Sequence, residues 1–328
     1  MLTEILIALV KSAIIILALL AGFAYATLLE RKLVGRLQVR VGPNRAGPFG
    51  LLQPVADGIK LAFKEDLVPR GADRLMFLLA PLMSVTAALI AFAVIPIGPQ
   101  VNLFGLPVDL VLADVNVGIL YILAVSSMGV YGVVLAGWSS NNKYSLLGSV
   151  RASAQMISYE LALGLSLVGV IMIAGSLKLT AIVDYQSNNL WFVVLQPLGF
   201  IIFTISAYAE TNRAPFDLAE AETELTAGYH TEYTGLKFAM FYMAEYIGMI
   251  TISSVATTMF LGGYHGPIAS GPWWFLLKVF LLICGFIWTR ATLPRFRYDR
   301  LMKFGWQVLL PLALLNVVLT ATAIVVFG

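Results

Sequence analysis

Residues 189–228 read NLWFVVLQPLGFIIFTISAYAETNRAPFDLAEAETELTAG, and this stretch decides the fold. Its first half, residues 189–209, is an apolar run of the length that a helix needs to cross the roughly 30 Å of a bilayer core. Its second half is rich in acids and contains one basic residue, Arg213. The acids are Glu210, Asp217, Glu220, Glu222 and Glu224.

We expect the acidic half to form a helix that begins near Pro215. On such a helix Asp217, Glu220 and Glu224 share one face, whereas Glu222 points elsewhere. Carboxylates that are crowded within a few ångströms raise one another's pKa values and share protons. The stretch therefore predicts a proton-exchanging site that directly follows a membrane-spanning helix.

The composition indicates an integral membrane protein. Of 328 residues, 59% are hydrophobic and 12% are charged, and the mean hydropathy of +0.88 lies far above the range of soluble domains. The net charge of +3 is small and does not indicate nucleic-acid binding. The charges are unevenly distributed, and this distribution indicates the membrane topology. The single cysteine, Cys284, with only His230 and His265 beside it, excludes a disulfide framework and an iron–sulfur or structural zinc site within this chain. We predict no metal site.

The apolar runs predict an all-α fold, a polytopic bundle of eight transmembrane helices in one integral membrane domain over residues 1–328. Turn-forming or polar sequence separates the runs, and none of them is expected to be broken by a central proline. The predicted spans lie near residues 5–29, 75–96, 111–137, 154–175, 189–209, 238–261, 273–292 and 305–327. The predicted cytoplasmic loops are residues 30–74, 138–153, 210–237 and 293–304.

The loop charges orient this bundle. Lys and Arg residues concentrate in the loops after spans one, three, five and seven, while the opposite loops contain only Lys178. Basic residues stay on the cytoplasmic side of a membrane protein. We therefore predict that both termini lie outside, on the periplasmic side.

The first loop contains a short amphipathic helix that is suited to the membrane surface. This helix either covers the top of the bundle or takes part in function, and its pattern alone does not separate the two. Its apolar residues are Val55, Ile59, Ala62 and Phe63, and its polar residues are Asp57, Lys60 and Lys64.

Ionisable residues inside the spans are functional candidates, because each costs at least about 2.5–3.5 kcal/mol at the bilayer centre. Glu160, Glu210 and Glu245 are the strongest of them. For Asp114 a helix cap at the outer interface is the favoured role. For Lys278 we expect the side chain to extend outward to the membrane surface. One or two arginines of the last loop are expected to pair with the acidic stretch or with a partner protein.

Two stretches resemble the signature motifs of a known family. GLLQPVADGIKL (Gly50–Leu61) and NRAPFDLAEAETELTAG (Asn212–Gly228) are similar to motifs of the quinone-channel membrane subunit of respiratory complex I, called H in bacteria and ND1 in mitochondria. The resemblance extends through ERKLVGRLQVRVGPNRAGPFG (Glu30–Gly50) and PRFRYDRLMKFGW (Pro294–Trp306). It thus covers essentially the whole chain.

The resemblance implies a multi-pass subunit of the bacterial inner membrane, within the proton-translocating NADH:quinone oxidoreductase. Such a subunit sits where the membrane arm meets the hydrophilic arm, beside other subunits of both arms. Quinone is the implied substrate, and the subunit largely lines the tunnel through which quinone reaches the last iron–sulfur cluster. NADH, FMN and the clusters are implied on partner subunits, with no redox centre on this chain.

The family's functional residues can be carried over to matching positions. The proton path falls on Glu160, Glu210, Asp217, Glu220, Glu222, Glu224 and Glu245. The expected quinone-tunnel residues are Arg31, Arg36, Arg45, Asp57, Lys60, Phe216, Arg290 and Arg295.

Other function classes remain open at this point. A stand-alone proton or cation transporter also uses buried acids, but such proteins usually contain paired repeats, and this sequence shows none. The membrane coupling subunit of an energy-converting hydrogenase is a homologous alternative that binds no quinone. A passive membrane anchor is a third alternative, and it does not explain the cost of placing Glu160 and Glu245 within the spans.

Overall fold

The computed structural model describes residues 2–103, 106–217, 226–267 and 270–327 of the chain. Helices dominate this part, and we number them in chain order. They are α1 (Leu2–Leu37), α2 (Gln53–Ala62), α3 (Arg74–Ala91), α4 (Gly118–Ser139), α5 (Lys143–Ala174), α6 (Leu179–Asn188), α7 (Phe192–Leu195), α8 (Pro197–Glu210), α9 (Gly235–Phe260), α10 (Pro272–Thr292), α11 (Tyr298–Phe304) and α12 (Leu310–Phe327). A π-helical turn, Gly305–Leu309, joins α11 to α12.

In the part of the chain that the structure describes, seven helical segments are long and apolar enough to cross a membrane. They are α1, α3 with the turn that follows it, α4, α5, α9, α10, and α11 with α12 as one segment. The predicted all-α, multi-pass class is confirmed. The fifth predicted span, near residues 189–209, stays a prediction, because this run contains only α7 and the shorter apolar helix α8.

The run over residues 189–209 is divided by Pro197. Helix α7 ends at Leu195, Gln196 leaves the helical conformation with φ −129° and ψ 55°, and α8 begins at the proline. Proline has no amide N–H to continue a helix, and it disfavours helical backbone at the preceding residue. Our expectation of uninterrupted runs is therefore wrong here. Gln196 donates to Thr320 Oγ1 of α12 at 2.7 Å, so the break is also a contact between helices.

A two-stranded hairpin lies between α3 and α4, where the sequence indicated only a turn. Strand β1 (Gly98–Leu103) pairs antiparallel with β2 (Leu106–Leu110), and Val101 lies opposite Val108. Helix α4 then begins at Gly118 rather than near residue 111. We call the side of the bundle that carries the hairpin the outer side, and the side that carries residues 38–73 the inner side.

Side-chain caps start two of the long helices. Asp73 accepts hydrogen bonds from the amides of Leu75 and Met76 at 3.1 and 3.3 Å and begins α3. Asn142 accepts from the amide of Tyr144 at 3.0 Å and begins α5. Each cap satisfies amide groups that the start of a helix leaves without partners. These caps fix where both helices begin at the inner side.

Close packing of small residues holds the helices together. A Cβ atom at Gly132 of α4 would lie 2.1 Å from Ser84 Oγ of α3, so only glycine fits at this crossing. The largest buried core runs between α1, α4, α5, α8, α9 and α10 and includes Leu163, Phe203 and Met249. This packing brings the inner ends of α1, α9 and α10 around the segment that follows α8.

Candidate functional site

Four charged side chains and a tyrosine form a group at the inner side, which we call the central network and in which Arg290 is the most exposed member. It consists of Glu30 on α1, Arg213 after α8, Glu245 and Tyr246 on α9, and Arg290 on α10. Arg213 Nη1 lies 3.0 Å from Glu30 Oε2, and Arg213 Nε lies 2.7 Å from Glu245 Oε1. Tyr246 donates to Glu30 Oε2 at 2.7 Å, and Arg290 makes a short ion pair with Glu30 Oε1. Glu30 therefore accepts from three donors.

The central network is balanced in charge and closed to water at its centre. Two arginines face two glutamates, and the side chain of Arg213 is only 4% exposed. Burial alone would lower the pKa of Arg213, but Glu245, Tyr246 and Glu30 together raise it above its ordinary value. The guanidinium lies over the Tyr246 ring, 4.2 Å from its centroid. Breaking a buried pair of this kind costs about 3–5 kcal/mol, because the remaining charge is left uncompensated.

Arg213 is presented by a loop that Gln155 holds at both ends. Gln155 lies on α5, is fully buried, and donates from Nε2 to the carbonyl oxygens of Ala209 and Phe216, each at 2.8 Å. The predicted tunnel residue Phe216 is buried, and its ring centroid lies 5.7 Å from that of Tyr159. A single amide group thus fixes the chain on both sides of Arg213.

Asp217 and Arg295 form an ion pair at 2.9 Å and join this loop to the segment before α11. The helix that we expected to begin near Pro215 is not present up to Asp217, because residues 211–217 form turns. Glu220, Glu222 and Glu224 lie outside the described residues. The expected shared face of Asp217, Glu220 and Glu224 therefore stays a prediction.

Glu160 and Glu210 form a second acidic group deeper in the bundle. Ser127 of α4 donates a short hydrogen bond to Glu160, and Ser126 of the same helix lines one cavity together with Glu210. The two carboxylates are close enough to repel each other. Glu210 and Glu245 line the same cavity of about 140 Å³ between α3, α4, α5 and α9. The cavity thus connects this acidic group to the central network.

Helix α2 carries a third charged group at the surface. Arg31 of α1 lies 2.6 Å from Asp57 Oδ2, and Lys60 lies 3.7 Å from Asp57 Oδ1. Burial alone would raise the pKa of Asp57, but hydrogen bonds from Arg31 and Gln53 and the charges of Arg31 and Lys60 lower it overall. The apolar face of α2 is exposed, as expected for a helix at a membrane surface.

The structure leaves two predicted tunnel residues apart from these groups. Arg36, in the last turn of α1, and Arg45, in the loop before α2, are both exposed. Their proposed role stays a prediction.

At the outer side, Lys278 differs from our expectation. It does not extend to the surface but is 8% exposed and points into the bundle from α10. Its ammonium donates to the carbonyl oxygens of Leu261, Gly263 and His265 at 2.6, 3.0 and 2.6 Å. It also lies 4.4 Å from the centroid of the Trp191 ring. Lys278 therefore caps the carboxyl end of α9, where a helix dipole favours a cation.

Asp114 also differs from the predicted role. Helix α4 begins at Gly118, too far along the chain for Asp114 to cap it. Asp114 instead pairs with Lys178 at 2.7 Å and accepts a hydrogen bond from Thr180 at 3.1 Å. It anchors the start of α6 at the outer side.

Comparison with known proteins decides the family. The sequence matches the NADH dehydrogenase family over residues 10–321. The chain belongs to this family. The NADH-quinone oxidoreductase H subunit of Thermomicrobium roseum is 57% identical over 92% of this chain and 91% of the relative. The NADH-quinone oxidoreductase H subunit 2 of Geobacter metallireducens is 54% identical, with coverage of 94% and 93%. The corresponding H subunit of Deinococcus deserti is 53% identical, with coverage of 100% and 86%.

The family assignment confirms the resemblance that the two motifs indicate. The structure adds Glu30 and Tyr246 to the candidate site, which the sequence analysis did not do. Glu30 was assigned to the start of a loop, whereas α1 continues to Leu37 and carries Glu30 into the central network. The buried residue Ala26 lies four positions earlier on the same face of α1. Tyr246 donates to Glu30 from beside Glu245, although neighbouring residues on a helix point in different directions.

The described residues of this family member contain no group of three or more His, Cys, Asp or Glu side chains that is placed to hold a metal ion. What they offer instead is a set of carboxylates, guanidinium groups and hydroxyls with little access to water. Such groups respond to a nearby change of charge by exchanging protons or changing partners.

Proposed function

We propose that this chain is the H subunit of a proton-translocating NADH:quinone oxidoreductase, that it lines the quinone tunnel, and that it couples quinone reduction to proton translocation. The observation that carries this proposal is the central network. It places Arg213 between Glu30 and Glu245, and Glu245 lines the same cavity as Glu210. The relatives' shared name, which specifies quinone rather than hydrogenase chemistry, supports the same function.

We assign the tunnel to the inner side, where α1 contacts α2, α9 and α10. Arg31, Asp57 and Lys60 form a polar group beside the exposed apolar face of α2, which suits a guest that enters from lipid. Arg290 and Arg295 continue this group toward the central network and toward Asp217. The remaining members of the proposed tunnel are Arg36, Arg45 and Phe216.

We assign the proton path to the acids that lead inward from this tunnel. Asp217 and Glu245 belong to its first part, and Glu210 and Glu160 to its deeper part. The cavity between Glu245 and Glu210 is apolar over most of its wall but has carboxylate oxygens at its inner end, where water can bridge them. Glu220, Glu222 and Glu224 complete the proposed path.

Reduction of the quinone changes the charge near the central network, and this change drives the coupling. Reduction to the quinol consumes two electrons from the partner subunits and two protons from the surroundings of the head group. Loss of those protons changes the charge that the central network experiences, and in a buried site this change is weakly screened. Arg213 can then shift its pairing between Glu30 and Glu245, so that Glu245 exchanges a proton with the cavity.

The proposed setting follows from the same assignment. The chain lies in the bacterial inner membrane with both termini on the periplasmic side. Its partners are the other subunits of the membrane arm and the peripheral subunits at the quinone site. Quinone is its substrate, while NADH, FMN and the iron–sulfur clusters reside on those partners.

Substitution of Glu245 by Gln and of Glu160 by Gln tests the coupling role. In the assembled enzyme we expect each variant to lower quinone turnover and proton pumping together, since the path and the redox step share these acids. Asp299→Asn is the matched control, because Asp299 is an exposed acid that pairs with Arg297 at 3.0 Å outside the proposed path. Normal coupled activity in both glutamine variants would overturn the coupling proposal.

A structure of the complete assembly with a bound quinone-site inhibitor tests the tunnel. We expect the inhibitor to lie between α1, α2 and the segment around Arg213. An enzyme that reduces no quinone and carries the chain beside a hydrogenase would contradict the assignment. So would autonomous ion transport by this chain alone in proteoliposomes.

A further inference from the structure

The cavity that contains Glu210 extends well beyond the acids. Its wall on α9 runs from Phe241 to Val255, a separation of fourteen residues, which is about 21 Å at the helical rise of 1.5 Å per residue. Asn212 lies at its inner end, and Ile119 and Leu179 lie toward the outer side. The outer half of this slot is apolar, so it is more than a passage between two carboxylates.

Glycines open the slot along its length. Gly129 of α4 and Gly248 of α9 both line it, and at each of them an added Cβ would meet nothing within 4 Å. This differs from Gly132 on the same helix α4, where a Cβ would collide with Ser84. The open space at Gly129 and Gly248 is therefore available to a guest and does not serve close helix packing.

Two polar atoms on the wall have no hydrogen-bond partner among the described residues. They are Glu210 Oε2 and Thr251 Oγ1. Thr251 is 6% exposed, and it differs from its neighbours on α9, because Ser253 and Ser254 donate back to the preceding turn at 2.7 Å. A buried hydroxyl without a partner costs free energy unless a guest satisfies it.

The slot has two acids on its wall, and among the described residues Glu245 is paired with Arg213 whereas Glu210 forms no ion pair. Glu160 is the charged group that acts on Glu210. Arg213, three residues from Glu210 in sequence, is engaged with Glu30 and Glu245. A guest that brings its own positive charge and N–H donors would compensate Glu210 without disturbing that network.

We propose that this slot is a binding site for a small hydrophobic ammonium ion, that is, a protonated amine with an alkyl or aryl tail. The ammonium group donates to Glu210, and the tail lies along Gly248 and Thr251 toward Ile119. The volume of about 140 Å³ suits a guest of this size, since apolar cavities of about 150 Å³ accommodate a benzene ring. The site goes beyond the proposed function, because proton exchange requires no apolar extension past the acids.

The experiment uses the complete enzyme in native membranes and a photoreactive hexylammonium that carries a diazirine on its tail. After illumination, labelled peptides are mapped by mass spectrometry, and unlabelled hexylammonium, hexanol and hexyl sulfate serve as competitors. We expect label in α4 and α9, near Gly129 and Thr251. We expect hexylammonium alone to compete effectively, since only it brings a positive charge.

Variants that fill the slot give the decisive comparison. Gly129→Val and Gly248→Val place a side chain in open space, and we expect either to abolish the specific label. Gly285→Val is the matched control, because Gly285 on α10 also has nothing within 4 Å of an added Cβ but does not line the slot. We expect Glu210→Gln to weaken labelling by about ten-fold or more, as loss of a charge-assisted hydrogen bond predicts.

Three outcomes would overturn the proposal. Unchanged label in both Gly129→Val and Gly248→Val would place the guest elsewhere, such as in the surrounding lipid. Equal competition by hexanol, with no effect of Glu210→Gln, would show an apolar cavity without charge selection. Loss of label to the same extent in a Gly285→Val enzyme that assembles and turns over normally would show that the label does not report on this slot. The readout is covalent label rather than turnover, so failure of the coupling mechanism would leave it interpretable.

Discussion

The molecule buries a cation in two different ways at its two sides. At the inner side, Arg213 is held by the carboxylates of Glu30 and Glu245. At the outer side, Lys278 is held by three backbone carbonyl oxygens and the face of Trp191. Both cations contact α9 or the segment that follows it, so one helix is fixed at each end by a different chemistry.

The difference lies in what each set of partners can do. Carboxylates gain and lose protons, so the partners of Arg213 can change their charge when a neighbouring reaction requires it. Backbone carbonyls do not titrate, so the partners of Lys278 keep the same character under all physiological conditions. The ion pairs of Arg213 at the inner side can therefore change with a neighbouring reaction, whereas the contacts of Lys278 at the outer side stay the same.

Removal of the inner cation should have the largest effect. In Arg213→Met, two buried glutamates lose their common partner, and we expect a loss of about 3–5 kcal/mol in stability together with loss of quinone turnover. Arg213→Lys keeps the charge but not the planar fork, and it should be intermediate. The amount of assembled enzyme measures the loss of stability, and NADH:quinone activity measures the loss of turnover. Full activity in Arg213→Met would remove the central network from the mechanism.

Neutralising one inner carboxylate should have the next largest effect. Glu30→Gln keeps the shape of the side chain but leaves Arg213 and Arg290 with only one glutamate between them. Hydrogen bonds to charged groups contribute about 1.5–3 kcal/mol, so we expect quinone turnover to fall by about ten- to one hundred-fold. The pH profile of turnover should shift as well, which a purely structural role would not cause. An unshifted pH profile would indicate that Glu30 contributes only to packing.

The outer cation should affect stability rather than rate. Lys278→Met leaves three carbonyl oxygens without a donor, and we expect a loss of about 1–3 kcal/mol in stability. Thermal unfolding of the assembled enzyme measures this loss, and turnover per intact enzyme should be unchanged. Lys278→Arg is the control that keeps the charge. If Lys278→Met changed the proton-to-electron ratio, the distinction between a fixed and a responsive side would be wrong.

The surface pair on α2 should give the smallest effect. The folded-state pKa of Asp57 is lowered from 3.8. The charged carboxylate of Asp57 therefore contributes to stability above pH 3.8, and this contribution is lost as the pH falls through the lower folded pKa. Exposed pairs contribute only about 0.2–1 kcal/mol, so Asp57→Asn should change amide hydrogen exchange in α2 slightly at neutral pH. The variant should also remove the acid-induced increase in that exchange, and an increase of the same size in both proteins would exclude this pair as its source.

The sequence predicted much of the fold because long apolar runs have few alternatives in a membrane. The runs near residues 75–96, 154–175 and 273–292 each lie within or close to an observed helix. The break at Pro197 was missed because the run is apolar on both sides of it, and hydropathy does not register one missing amide. The hairpin was missed because its strands are short and lie between two spans.

The site was predictable where a charge lay inside an apolar run, and less so elsewhere. Glu160, Glu210 and Glu245 were found by their cost in the membrane. Glu30 was missed because it directly precedes the basic residues of the first loop. The position of Lys278 could not be predicted, because its partners are backbone carbonyl groups of residues 261–265. The conformation of that loop does not depend on any pattern of side chains that the sequence displays.

Glu30 and Arg31 are consecutive on α1, about 100° apart around the helix axis. The first faces Arg213 in the interior, and the second reaches Asp57 on α2. A rigid helix cannot turn one of them without turning the other. A rotation of α1 about its axis therefore moves the partner of Asp57 and the carboxylate at the centre together, which makes α1 a torsional link between the membrane surface and the protein interior.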